Sequence, residues 1–201
     1  MNRKIGMLGA LVNLVAVIAF AASMLMGSNL GSYYSSMFIA FSFVLMTCAY
    51  AYFSKDETKV AGITAVGFAA MYAVIISLVY FTQITTVQND SLTQQAAKLL
   101  DYQQFGLFFN YDMLGYALMS LATLFVGLTV ETKSTASKWL KGLLLVHGVF
   151  FVSCIIIPAL GLFTTDMVGT EWIGIAILEF WCAYFIPVGI LSLLYFSKYE
   201  S

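Results

Sequence analysis

Six apolar stretches, each close to the length needed to cross a lipid bilayer, follow one another along this chain. They cover residues 5–26, 36–53, 60–81, 113–130, 142–163 and 172–196. A helix rises about 1.5 Å per residue, so roughly 20 apolar residues cross a hydrocarbon core of about 30 Å. Lipid offers the backbone no hydrogen-bond partner, so each stretch must satisfy its own peptide groups as a helix. The sequence therefore predicts an all-α fold, a polytopic transmembrane bundle of six helices forming a single integral membrane domain over residues 1–201. Composition excludes the alternative: 9% of residues are charged, against about 25% in an ordinary soluble domain. Two stretches, 36–53 and 113–130, are short. Their aromatic flanks, Tyr33-Tyr34 and Phe108-Phe109-Asn110-Tyr111, are expected as anchors at the headgroup level.

The basic residues check the count of six. Arg3 and Lys4 precede the first stretch, Lys55 and Lys59 separate the second from the third, and Lys133, Lys138 and Lys141 separate the fourth from the fifth. Lys198 follows the sixth, and only Lys98 falls on the other side. This is the positive-inside pattern, which predicts both termini in the cytoplasm of a multi-pass protein of the cytoplasmic membrane. One span more or fewer would scatter the charges over both faces. The stretch 5–26 also exceeds the roughly 7–15 residues of a signal-peptide core, so it is expected as a first span. A net charge of −1 gives no reason to expect a nucleic acid partner.

The one long connector, residues 82–112, has apolar positions at Leu92, Ala96, Leu99 and Leu100. That spacing predicts an external amphipathic helix over about 91–104, with Asn89-Asp90-Ser91 as candidate N-caps, lying on the outer leaflet or lidding the bundle.

Polar residues inside spans mark where function should be sought, because each is costly in lipid. Glu179 lies about 10 Å into the sixth stretch and His147 about 9 Å above the opposite surface, at 1.5 Å per residue. Asp112 stands at the outer end of the fourth stretch, as an N-cap or as a ligand group. It begins a stripe continued by Tyr116, Ser120, Thr123 and Gly127 on one helix face. Asn13 lies at a depth comparable to His147, within reach of a contact. Ala65, Ala69, Ala73 and Ser77 form a small-residue face expected for packing. Pro158 and Pro187 are expected to kink the last two spans, freeing the carbonyls of Cys154 and Ala183. The candidate binding residues are thus Glu179, Asp112, Tyr116, Ser120, Thr123, His147 and Asn13.

No cofactor or metal is expected. Cys48, Cys154 and Cys182 stand alone in apolar runs, and a single histidine cannot supply two haem ligands. No lysine lies within a span to hold retinal. H-E-x-x-H, G-x-S-x-G and Walker A patterns do not occur.

From Phe105 to Val152 the chain carries Asp112-Met113-Leu114-Gly115-Tyr116, an apolar run to Gly127, and a short basic loop. Trp139-Leu140-Lys141-Gly142-Leu143-Leu144-Leu145 and Gly148 follow. Together with the basic start before Gly6 and Gly9, this resembles a bacterial family of six-span integral membrane proteins, a domain of unknown function. The resemblance implies a bacterial cytoplasmic membrane protein and implies no activity or site residue.

Three functions compete. The first is a small-molecule or ion binding and transport bundle using intramembrane carboxylates. The second is a non-catalytic accessory or scaffold subunit, whose partner is another membrane protein or a second copy. The third is a membrane enzyme acting on a lipid, which would need Glu179 and His147 in one cavity despite their different depths.

Overall fold

The chain leaves its first helix through a turn that only glycine makes easily. In the computed structural model, which describes residues 1–89, 91–163 and 171–198, α1 runs Asn2–Leu25. Gly27 then takes φ 67°. Its N–H bonds the Met24 carbonyl, and the Ser28 N–H bonds that of Ser23, which together satisfy the last carbonyls of the helix. Ser28 caps the next helix, accepting from the Gly31 N–H at 3.3 Å. α2 therefore begins at Asn29 and runs to Tyr52, seven residues before the apolar stretch does. Its early serines make this possible: the Ser32 and Ser36 hydroxyls donate to the carbonyls of Asn29 and Ser32, so they need no water. In the first turns Tyr33 meets Tyr80, while Tyr34 is exposed.

α3 runs Lys59–Thr82 and continues through one wide turn, Gln83–Val87. A short α4, Gln94–Leu100, is capped by Thr93 rather than by Asn89 or Ser91. α5 spans Leu107–Thr129. The fifth span is two helices, α6 (Thr135–His147) and α7 (Phe150–Ala159), and α8 runs Glu171–Lys198. Among the described residues six helical segments are long and apolar enough to cross a membrane, the fifth being Thr135–Ala159.

The fifth span departs most from expectation. It begins at Thr135, not at residue 142, because Ser134 and Ser137 form a reciprocal capping box that carries the helix into the polar loop. It breaks at Gly148–Val149 rather than at Pro158, which sits harmlessly in the last turn of α7. Around the break the bonds tighten to the three-residue type, from Gly148 to Leu145 and from Val149 to Val146. The Tyr184 hydroxyl of α8 donates to the Leu143 carbonyl at 2.6 Å. Pro187 leaves α8 continuous.

The helices close a ring in which α1 packs on α2, α2 on α3, α3 on α5, α5 on both α6 and α7, α6 on α8, and α8 on α1. Small residues set the closest approaches: a Cβ on Gly9 would lie 2.8 Å from the Met46 backbone nitrogen. Ala65 and Ala69 are wholly buried and Ala73 nearly so. Phe43 and Tyr72 meet edge to face at 5.7 Å in the centre, with Phe185 beyond. Leu8, Leu11, Val15 and Ile18 form an exposed apolar face of α1, as lipid contact requires. The start of α1 and the end of α8 share one end with the two basic loops. There Gly6 approaches Phe196, and Glu131 pairs with Lys133 at 2.8 Å and Lys55 at 3.9 Å. We call this the basic end; Lys98, on α4, lies at the far end.

Candidate functional site

Three helices present the same spacing of side chains to one space. α5 contributes Phe109, Asp112, Met113, Tyr116 and Ser120; α7 contributes Phe150, Ser153, Cys154 and Ile157; α8 contributes Gly174, Ile177, Leu178 and Trp181. Steps of three and four residues keep each set on one helical face. They enclose a cavity of about 320 Å³ in the far half of the bundle, within the roughly 300–1,000 Å³ of small-molecule sites.

The connector builds its roof. Gln83, buried at the end of α3, donates to the Leu100 carbonyl at 2.8 Å and accepts from the Tyr102 N–H at 3.0 Å. This pins the Tyr102–Gln104 turn over the bundle. Phe105 then adopts a left-handed φ of 51°, and its ring lies 5.1 Å from Phe109 and 5.6 Å from Phe163. Burial, and then the neighbouring Asp112 and Tyr33, push the Tyr102 hydroxyl well above its usual range.

Asp112 is the only charged group in the wall among the described residues. It is 3% exposed, and its Oδ1 has no hydrogen-bond partner among the described residues. It lies inside α5 rather than capping it, since Gly106 is the N-cap. Tyr102 and Tyr116 line the same cavity, and Tyr116 packs on Tyr72 at 5.9 Å. The described residues include all nine basic residues, and no ion pair reaches Asp112; the pairs present are those of Glu131. The Tyr72 hydroxyl is a second buried group without a partner. An enclosed charge in this state is satisfied by a proton or by a cation.

The floor is a chain of hydrogen bonds with one consistent proton arrangement. The Trp181 Nε1–H donates to His147 Nε2 at 3.0 Å. The Thr123 hydroxyl donates to the Ser120 carbonyl at 2.9 Å, so Thr123 Oγ1 accepts from His147 Nδ1 across the 2.8 Å between them. The ring is therefore the neutral Nδ1–H tautomer, fully satisfied. His147 is 1% exposed and enclosed by Phe150, Tyr184 and Phe185.

The candidate residues thus divide by place. Asp112, Tyr116 and Ser120 line the cavity, while Thr123 and His147 form the layer beneath it. Asn13 is elsewhere: its Nδ2 donates to the Ile39 carbonyl and to Ser42 Oγ, tying α1 to α2, and no bond joins it to His147. Glu179 does not line the cavity; it is half-buried on α8, with its Oε1 enclosed and unpartnered. The depths estimated from sequence set the two helices too far apart, since Trp181, two residues beyond Glu179, reaches His147. Counting from Thr135 instead of Lys141 puts His147 about 18 Å along its helix, near the middle of the span.

Sequence reasoning missed Trp181, Gln83 and the aromatic roof. One signal was present, because tryptophan prefers the membrane surface and Trp181 falls ten residues into its helix. Among the described residues no group of histidine, cysteine and acidic side chains could hold a metal ion. No family model, curated protein or solved structure matches this chain.

Proposed function

We propose that the chain is a small-molecule-binding bundle of the cytoplasmic membrane, with the Asp112 cavity as its site and both termini in the cytoplasm. The unpartnered Asp112 Oδ1, buried in an aromatic-walled cavity, carries the reading. Leaving such a group unsatisfied costs about 1–3 kcal/mol; Asn13 Oδ1, the Tyr72 hydroxyl and Glu179 Oε1 share that state, and Asp112 is the one of the four that lines the cavity. The basic end supports the orientation, since eight of nine basic residues gather there by the positive-inside rule.

The ligand enters from the outer half of the membrane, between α7 and α8. None of the residues of α7 is buried, and only 11% of the fifth span's apolar window is enclosed, against 56% in α2 and α5. A peripheral helix beside a break at Gly148–Val149 is the easiest wall to displace. The segment from α4 to Phe105 acts as the outer lid. The Ser120–Thr123–His147–Trp181 layer closes the site towards the cytoplasm, and transport requires that layer to open.

The test is a thermal-shift screen of the purified protein in detergent against small cationic, neutral and anionic amphiphiles. At least one class should raise the unfolding midpoint of the wild-type chain and not that of Asp112→Asn. No shift from any class would end the reading.

A further inference from the structure

We infer that the ligand class is a lipid-soluble amine bound as its ammonium ion, with its N–H directed at Asp112 Oδ1. This deepens the binding function proposed above and rests on it.

Charge gives the first argument. Among the described residues the wall holds one carboxylate and no basic side chain, so an anion would meet repulsion and no compensating donor of positive charge. Asp112 has one enclosed oxygen left to accept a hydrogen bond, which matches a donor carrying a single positive charge. The second argument concerns the rings. Trp181 and Tyr116 meet edge to face at 5.6 Å beside the carboxylate level, and Tyr102 and Phe109 lie 5.5 Å apart above it. Aromatic faces stabilise organic ammonium ions, and more so when water is excluded.

Hard metal cations do not fit. Calcium needs six to eight oxygen ligands and magnesium a near-ideal octahedron, whereas the wall offers one carboxylate amid mostly apolar lining. Ile157, Ile177 and Leu178 complete an apolar flank, which suits a hydrocarbon or aryl tail and gives nothing to a small inorganic ion. Tail and headgroup together describe an amine that partitions into lipid and arrives between α7 and α8.

The experiment uses the full chain with Trp139→Phe and Trp172→Phe, both exposed positions, so that Trp181 in the cavity wall reports alone. Its fluorescence is titrated with dimethyl(4-phenylbutyl)amine, with the trimethylammonium analogue, and with the neutral tert-butyl hydrocarbon of the same shape. The tertiary amine should bind at least tenfold tighter than the hydrocarbon, and Asp112→Asn should remove that preference. The trimethylammonium ion, which lacks an N–H, should fall between them. Equal binding of amine and hydrocarbon, unaffected by Asp112→Asn, overturns the amine assignment and leaves a neutral-ligand cavity standing. Binding of none of the three overturns both the assignment and the site. If Asp112→Asn does not fold, the amine-to-hydrocarbon ratio in the parent chain decides alone.

Discussion

Trp181 donates its indole N–H to His147 Nε2 at 3.0 Å, joining the fifth and sixth spans at the level where the fifth one breaks. Removing the donor leaves a buried acceptor orphaned, at about 1–3 kcal/mol, although interhelical bonds in membranes average nearer 0.6 kcal/mol. Trp181→Phe should therefore cost about 1–2 kcal/mol in detergent unfolding, including some loss of packing on Phe185. Thr123→Val, which removes the acceptor for Nδ1–H, should cost about the same. The double variant should cost less than the sum, because the two bonds share one ring. Strict additivity would mean that the chain through His147 does not act as a unit.

Asp112 should act on stability in the opposite sense. The empty protein keeps a carboxylate with an unpartnered oxygen, and replacing a buried charge by an apolar group of similar size is often stabilising. Asp112→Leu should raise the unfolding midpoint of the ligand-free protein, by up to about 1–3 kcal/mol. A loss of several kcal/mol would instead identify Asp112 as a strut that holds α5 in the bundle.

Two glycines separate backbone approach from helix propensity. At Gly9 a Cβ would lie 2.8 Å from the Met46 nitrogen and 3.1 Å from the Ser42 carbonyl oxygen, both backbone atoms that cannot turn aside. Gly9→Ala should cost about 1–3 kcal/mol by forcing α1 and α2 apart. At Gly67 nothing lies within 4 Å, so Gly67→Ala should be neutral or gain about 0.5–1 kcal/mol from helix propensity. Unfolding midpoints of the pair measure the contrast directly.

The physics that was legible in the sequence is the physics of lipid. Uncompensated peptide groups and charges are penalised so steeply that six spans and their alternation can be read from apolar runs and basic residues alone. The Asp112–Tyr116–Ser120–Thr123 stripe was legible for the same reason, since one helical face holds it. What was not legible depends on partners far along the chain. His147 and Trp181 are 34 residues apart, and a tryptophan in a span reads simply as apolar. Depth counted from a span's end does not separate Glu179 from Asp112, because enclosure depends on neighbouring helices. The break at Gly148 carried no proline to announce it, while Pro158 stands one residue before the end of α7.

Orientation has its own measurement. With Cys48, Cys154 and Cys182 replaced by alanine, single cysteines at Glu57 and Thr132 should react with a membrane-impermeant maleimide only after cells are opened. A cysteine at Gln95 should react in intact cells. All three positions are exposed. External labelling at Glu57 or Thr132 would reverse the topology and with it the direction of entry.

Cys154 tests the route into the cavity without a new side chain. It lines the cavity from α7 and is half-buried, whereas Cys182 is buried and Cys48 lies on an exposed face. A chain with Cys48→Ala and Cys182→Ala should therefore react at Cys154 with an apolar maleimide dissolved in the lipid. A charged, impermeant maleimide should react more slowly, because it must pass the roof of Phe105 and Phe163, whose rings stack at 5.6 Å. Replacing Ile177 by Trp on the opposite wall narrows the gap between α7 and α8, so it should slow the apolar reagent and leave the charged one unchanged. If the charged reagent proves the faster, the cavity opens through its roof, and α7 is a fixed wall.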